Sequence, residues 1–280
     1  MSMRKIILYI VYGDDQIYYD GAIFSLLTFK YWIGAEKVEI VVLTEQPEQF
    51  NNYGVKVIAL SKIQKKEWSF NGEYHFRIKN RGLAYVMDEL NLEKSDKILF
   101  FDTDTYFHRS PMPLFDLIQP HQALLYLNEG LIYKRKRFNV YVKNLEGRSL
   151  EINGEFYKLS RSSALWGSLM VGIMPSMRSS LDWADLLMQK FYEIVPSHTI
   201  EPFSLSETLL KKYKLVEGKK FVSLYSTSRK KNYARNKLAD FFQESEFLKL
   251  DQKVILAQNL KIKRPLYVIL FQRFLRIFNK

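Results

Sequence analysis

Six short runs built around apolar, mostly β-branched or aromatic residues punctuate the first two thirds of the chain: Ile6–Tyr12, Lys37–Thr44, Val55–Leu60, Ile98–Phe101, Gln122–Glu129 and Ala164–Ile173. Their length suits strands, and the unbroken character of several predicts strands covered on both faces. Between them the period changes. Tyr18–Trp32 puts Ala22, Leu26 and Phe29 on one helical face with Ile23, Leu27 and Tyr31 alongside, and Lys79–Leu90 does the same with Leu83, Val86, Met87 and Leu90. A short helix is expected at LFDLI, after the turn Arg109–Pro113, and a longer one runs to about Val195 with Ser179 or Ser180 as its cap. Strand, helix and strand within the first 44 residues form a βαβ unit, the opening of a doubly wound sheet. The fold class is therefore α/β, with a mainly parallel, Rossmann-like sheet flanked by helices.

The fourth run, in KILFFDTDTYF, ends in two carboxylates, Asp102 and Asp104. Open α/β sheets bind ligands beyond the carboxyl ends of their strands. In an extended backbone, side chains two residues apart point the same way, so the pair can converge on one hard cation, Mn2+ or Mg2+, while Thr103 points aside. An isolated Asp-x-Asp reads first as a solvated acid pair capping the next element; the buried strand before it reverses that in favour of the metal. Tyr12 and Gly13 end the first strand, where a ring can stack on a nucleotide base and a glycine lets backbone approach a ligand. Glu67–Arg81 mixes Trp68, Tyr74, His75 and Phe76 with Arg77, Lys79 and Arg81. A cation at the start of the following helix can reach phosphates held by the same metal. His75 reads as a structural or solvated residue. Gly167, Ser168 and Gly172 in the sixth run suggest close approach of ligand or backbone.

Composition narrows the field. With 280 residues and 47% apolar content a sizeable core can be buried. No Pro-, Gly- or Ser-rich linker divides the chain, so one main domain is expected, over residues 1–225. Residues 131–163 read as an insertion carrying a KRKR run at Lys134–Arg137 and a hairpin at Asn153 and Gly154. The absence of cysteine excludes disulfides, thiolate metal sites and Cys nucleophiles, and suits a cytoplasmic location. The basic, apolar start ends in Gly-Asp-Asp and reads as a strand, not a signal peptide; no run is long enough to span a bilayer. The net charge of +12 sits at one end: Lys211–Lys280 holds 18 Lys and Arg against 5 Asp and Glu. Residues 226–280 thus form a basic extension, and Leu266–Lys280 is expected to be an amphipathic helix with Gln272, Arg273, Arg276 and Lys280 opposite Tyr267, Leu270, Phe271, Phe274, Leu275 and Phe278. Such a helix suits the surface of an anionic leaflet at the inner face of a membrane, or docks on the core.

In sum of its parts, a Tyr and Gly after strand one, a Thr (Thr44) after strand two, a Lys opening a helix and an apolar strand ending in Asp-x-Asp-Thr, the chain resembles glycosyltransferases of the GT-A fold, in particular family 8 and glycogenin-like enzymes. The likeness covers roughly Lys5 to Met174. It implies that Asp102 and Asp104 hold the metal and, with Thr103, the nucleotide sugar; that Tyr12, Gly13 and Thr44 belong to the nucleotide pocket; and that Lys79 contacts donor or phosphate. Gly167 and Ser168 occupy the region where the family has an Asn amide. Glu201 matches the acid of an Asp-Gln or Glu-Gln pair, a catalytic position, with Pro202 in place of the glutamine. Tyr225 and Lys230 fit a His-Tyr-x-x-x-Lys-like segment whose histidine is missing, and Arg229, Lys230 and Lys231 are available for a diphosphate. The implied reaction is retaining, metal-dependent transfer of a hexose from a UDP-linked sugar to a glycan or lipid-linked acceptor. A rival reading is a haloacid dehalogenase-type phosphatase, whose Asp-x-Asp continues x-Thr; Tyr106 stands at that place. A third, a nucleic-acid-binding protein, is supported only by the basic C-terminal quarter and its aromatic residues, and the leading reading expects no nucleic acid.

Overall fold

The computed structural model describes residues 3–263. The chain runs β1 (Lys5–Val11), α1 (Gln16–Ile33), β2 (Glu39–Thr44), β3 (Lys56–Ala59), α2 (Lys62–Trp68), α3 (Arg77–Glu89), β4 (Lys97–Phe101), β5 (Thr105–Phe107), α4 (Met112–Asp116) and β6 (Gln122–Leu131). It continues with α5 (Asn139–Leu145), β7 (Leu150–Ile152), β8 (Glu155–Tyr157), β9 (Ala164–Ile173), α6 (Arg178–Ile194), α7 (Ile200–Leu210), β10 (Lys214–Glu217), β11 (Val222–Leu224), α8 (Ser228–Glu244) and α9 (Leu250–Asn259).

Among the described residues a seven-stranded sheet has the order β10-β6-β9-β4-β1-β2-β3. All pairings are parallel except those of β9, which opposes both β4 and β6. The unbroken apolar runs are explained by burial on both faces. Ile7, Tyr9 and Val11 of β1 pack with α1, α8 and α9, whereas Ile6, Leu8 and Ile10 pack with α3, α6 and α7. A fully covered strand has no solvent face to mark with polar residues.

Boundaries moved where caps and pairing decided them. Helix α1 starts at Gln16, two residues earlier than its apolar face suggests, because the Asp15 carboxylate accepts from the Ile17 amide. Helix α6 starts at Arg178, not at a serine cap: the turn Pro175–Met177 leads straight into it, no side chain caps it, and Ser180 is buried inside. Strand β6 runs to Leu131, beyond the expected Glu129, because Gly130 and Leu131 pair with Leu165 and Ala164.

Residues 131–163 pack tightly. Ile132, Phe138, Tyr141, Leu145, Ile152 and Tyr157 form a third apolar cluster with Leu187, Phe191 and Phe203 of α6 and α7. The β7–β8 hairpin turns at Asn153 and Gly154, both at positive φ as a two-residue hairpin loop requires. Helices α8 and α9 bury Ala234, Leu238, Phe241 and Ala257 in the cluster that α1 shares, with Phe241 edge-on to Phe24 at 6.0 Å. No helix of the described residues is long and apolar enough to cross a membrane. The expected helix Leu266–Lys280 lies outside the described residues.

Candidate active site

A cleft of about 380 Å³ opens beyond the carboxyl ends of β1 and β4. Ile10, Tyr12 and Gly13 form one wall, His75, Phe76 and Lys79 another, and Asp102, Thr103 and Asp104 the floor, with Tyr18, Lys65 and Lys231 at the rim.

The floor is a tight turn, not a continued strand. The Asp102 carbonyl accepts from the Thr105 amide and hydroxyl, at 3.3 and 2.7 Å. Bending there brings both carboxylates to the cleft and, against the alternation expected of extended chain, Thr103 as well. The turn is held from below. The Tyr225 hydroxyl donates to the Thr103 carbonyl (3.2 Å) and its amide to the Asp104 carbonyl (3.2 Å). Gly21 of α1 lies so close that a Cβ there would meet the Thr103 carbonyl and the Tyr225 hydroxyl.

Each carboxylate faces an ammonium. Lys79 Nζ is 3.4 Å from both Asp102 oxygens, and Lys231 Nζ is 3.2 Å from Asp104 Oδ2. Asp104 Oδ1 is buried without a hydrogen-bond partner. Asp102 keeps 22% of its side-chain surface. Burial is the main force pushing its carboxyl up to about 6; Lys79 pulls the other way, and Asp104 and Glu201 add to the rise. For Lys79 burial works against the charged form, but Asp102 and Glu201 outweigh it and hold the ammonium above the ordinary lysine range.

The other expected site residues divide. Ser168, midway along β9, donates to Glu201 Oε2 at 2.7 Å and lies 3.2 Å from Lys79 Nζ. Glu201 is buried below the cleft wall, 3.4 Å from Lys79, with its amide donating to the Tyr74 hydroxyl. Gly13 (φ +99) donates its amide to Glu45 Oε2 at 2.7 Å, and the Tyr12 hydroxyl donates to the His75 carbonyl at 3.0 Å. Thr44 is buried and accepts from the Gln46 amide instead of lining the cleft, and Gly167 sits against Glu129, one residue beyond Ser168. Lys230 points to solvent, and its neighbour Lys231 reaches the floor. Helix phase selects between them: Lys231 and Arg235 share the stripe with buried Ala234 and Leu238, a spacing readable in the sequence. Arg235 makes two 2.7 Å bonds to Asp15, the cap of α1. Tyr18, Glu45 and Lys65 carry no motif and emerge only from the fold; Lys65 bonds Glu45 at 2.8 Å.

Among the described residues no group of three or more His, Cys, Asp or Glu side chains is placed to share a metal. Two carboxylates with one unpaired buried oxygen still fit a hard cation that takes its other ligands from phosphate oxygens and water, as Mg2+ commonly does.

No family model matches the chain, and no curated protein does. Among solved structures, it is similar to the crystal structure of galactosyltransferase LgtC in complex with donor and acceptor sugar analogs, at 13% identity and a TM-score of 0.46, over 94% of this chain and 98% of that one. A superposition at that level carries no weight for function, which rests on the residues of the cleft.

Proposed function

We propose that the protein is a metal-dependent glycosyltransferase that moves a hexose from a nucleotide sugar to a glycan or lipid-linked acceptor. The observation that carries the reading is the pair Asp102 and Asp104 on the floor of a 380 Å³ cleft at the carboxyl edge of the sheet, each beside an ammonium. Such a floor suits a ligand with a negatively charged bridge between two neutral parts, which is the shape of a nucleoside diphosphate sugar.

In the reaction the sugar C1–O bond to the diphosphate breaks and negative charge collects on the leaving oxygens. Asp102 and Asp104 would hold Mn2+ or Mg2+, which when bound neutralises part of that charge. Lys231 and Lys79 both reach the carboxylates of the floor and contribute positive charge there. Gly13, with no side chain and its amide tied to Glu45, keeps the β1 end open for the nucleotide, and Tyr12 offers a ring face to the base. UDP as the nucleotide and retention of configuration follow from the resemblance to family 8 enzymes. The basic extension supports a cytoplasmic enzyme held at the inner face of an anionic membrane.

A screen of nucleotide sugars with Mn2+ or Mg2+, read by thermal stabilisation and donor hydrolysis, tests the class and the donor together. One donor is expected to stabilise the protein only with metal. Full metal-dependent activity in both Asp102→Ala and Asp104→Ala overturns the assignment.

A further inference from the structure

Lys79 is surrounded by more acceptors than it can satisfy. Asp102 Oδ1 and Oδ2 lie at 3.4 Å, Glu201 Oε2 at 3.4 Å and Ser168 Oγ at 3.2 Å. An ammonium has three donors, and a charge-assisted bond to a carboxylate settles at roughly 2.7–2.9 Å. Lys79 therefore stands between two carboxylates and belongs fully to neither. Glu201 has little alternative. Its side chain is 3% exposed, Ser168 already donates to it, and among the described residues Lys79 is the cation paired with it. A void of about 10 Å³ is lined by Lys79, Asn80, Glu201, Phe100 and Leu205. At 3.4 Å from Glu201 Oε2 the ammonium stands only about half an ångström short of a full charge-assisted bond, so the step toward Glu201 is short.

We propose that Glu201 and Ser168 form a berth that receives the Lys79 ammonium when a divalent cation takes Asp102. The inference rests on the reading of Asp102 as a cation ligand. A cation on Asp102 repels Lys79, and without a second carboxylate that ammonium would have to stay and compete. With Glu201 in place it shifts by about one hydrogen-bond step, with Ser168 as the pivot both groups share. Glu201 is thus a positioning residue: it sets where Lys79 stands and touches no reacting atom. Its burial below the cleft wall agrees with that role and not with contact to a sugar.

The test is Mn2+ binding to the full chain without nucleotide, followed by the paramagnetic resonance signal of free Mn2+. Wild type is compared with Glu201→Gln, Lys79→Met and the double variant. Glu201→Gln is expected to weaken Mn2+ binding by about tenfold, Lys79→Met to tighten it, and the double variant to bind like Lys79→Met, because the berth matters only while Lys79 needs one. Equal weakening by Glu201→Gln in both backgrounds means that Glu201 acts through its charge alone and overturns the inference, as does no weakening at all. Should Glu201→Gln fail to fold, Ser168→Ala carries the same expectation at about fivefold. Failure of the wild type to bind Mn2+ both alone and with a nucleoside diphosphate removes Asp102 as a ligand and overturns the functional reading along with the inference; Mn2+ binding that ignores Glu201 and Ser168 overturns the inference alone.

Discussion

Arg77 and Lys79 leave the first turn of the same helix, two residues apart, and end in opposite circumstances. Arg77 is sealed. Its Nε and Nη2 bond the two Asp185 oxygens at 2.7 and 2.8 Å, Nη1 bonds the Glu67 carbonyl at 2.9 Å, and its guanidinium lies 4.4 Å from the centre of the Phe70 ring. Every contact is short and each of the three nitrogens has one partner. Lys79 has contacts of 3.2–3.4 Å spread over three side chains. Both cations are largely buried, so burial does not separate them; the match between donors and acceptors does. A planar fork locked to one carboxylate fixes α3 against α6, whereas a point charge shared among several acceptors can be redistributed at small cost. On this helix the satisfied cation serves the scaffold and the unsatisfied one serves the site.

The comparison can be broken most directly at Arg77. Arg77→Met should cost about 3–5 kcal/mol of stability, since it leaves Asp185 buried and short of its main partner; urea unfolding measures it. A loss below about 1 kcal/mol would show that the pair is not a scaffold. Asp102→Ala should lower transfer by about 10²–10³-fold, some 3–4 kcal/mol of transition-state stabilisation, while the unfolding midpoint holds or rises, because burial already disfavours the charged form. Lys79→Met is expected to reduce kcat/KM by about 100-fold and to cost less stability than Arg77→Met, because its contacts are longer, 3.2–3.4 Å, and Asp102 faces the cleft. A Lys79 variant as unstable as the Arg77 variant erases the contrast.

The smallest effect is in the pH profile. The Asp102 carboxyl is raised from its ordinary range to about 6, so the folded protein takes up a proton between roughly pH 6 and 4 that the unfolded chain does not. Stability without metal should therefore rise as pH falls through that window, as far as Asp102 contributes. Metal-dependent donor binding should move the other way, weakening toward tenfold per pH unit below about 6, because a protonated Asp102 is a poor ligand. Asp102→Asn should flatten both slopes, and calorimetry across pH 4.5–7.5 can follow them together.

Much of this architecture was legible because apolar runs and helical stripes report burial directly. Ile98–Phe101 and Ala164–Ile173 could hardly be anything but covered strands, and the carboxylates after the first marked the cleft. What the charged residues themselves do not show is which side of a helix faces inward; that is carried by the apolar residues a turn or two further on. Arg229, Lys230 and Lys231 are chemically similar, and only the packing of Ala234 and Leu238 chooses Lys231. Nor could spacing reveal Tyr18, which lines the cleft from the start of α1, or Glu45, which holds the Gly13 amide and Lys65 beside it. Thr44 carried the opposite lesson: a polar residue at a strand's carboxyl end can spend its hydroxyl on the next turn.

The reversed strand β9 has a consequence for how such a protein can diversify. Strand β6 ends at the carboxyl edge of the sheet, and β9, running the other way, begins there. The excursion between them, residues 132–163, thus leaves and re-enters the molecule on the edge that carries the cleft, with its own apolar cluster to hold it. Lengthening, shortening or replacing that excursion changes neither the strand order nor the turn bearing the aspartates. It is a cassette in the topology: the surface at that edge can be rewritten there while the cleft residues on β1 and β4 stay in place.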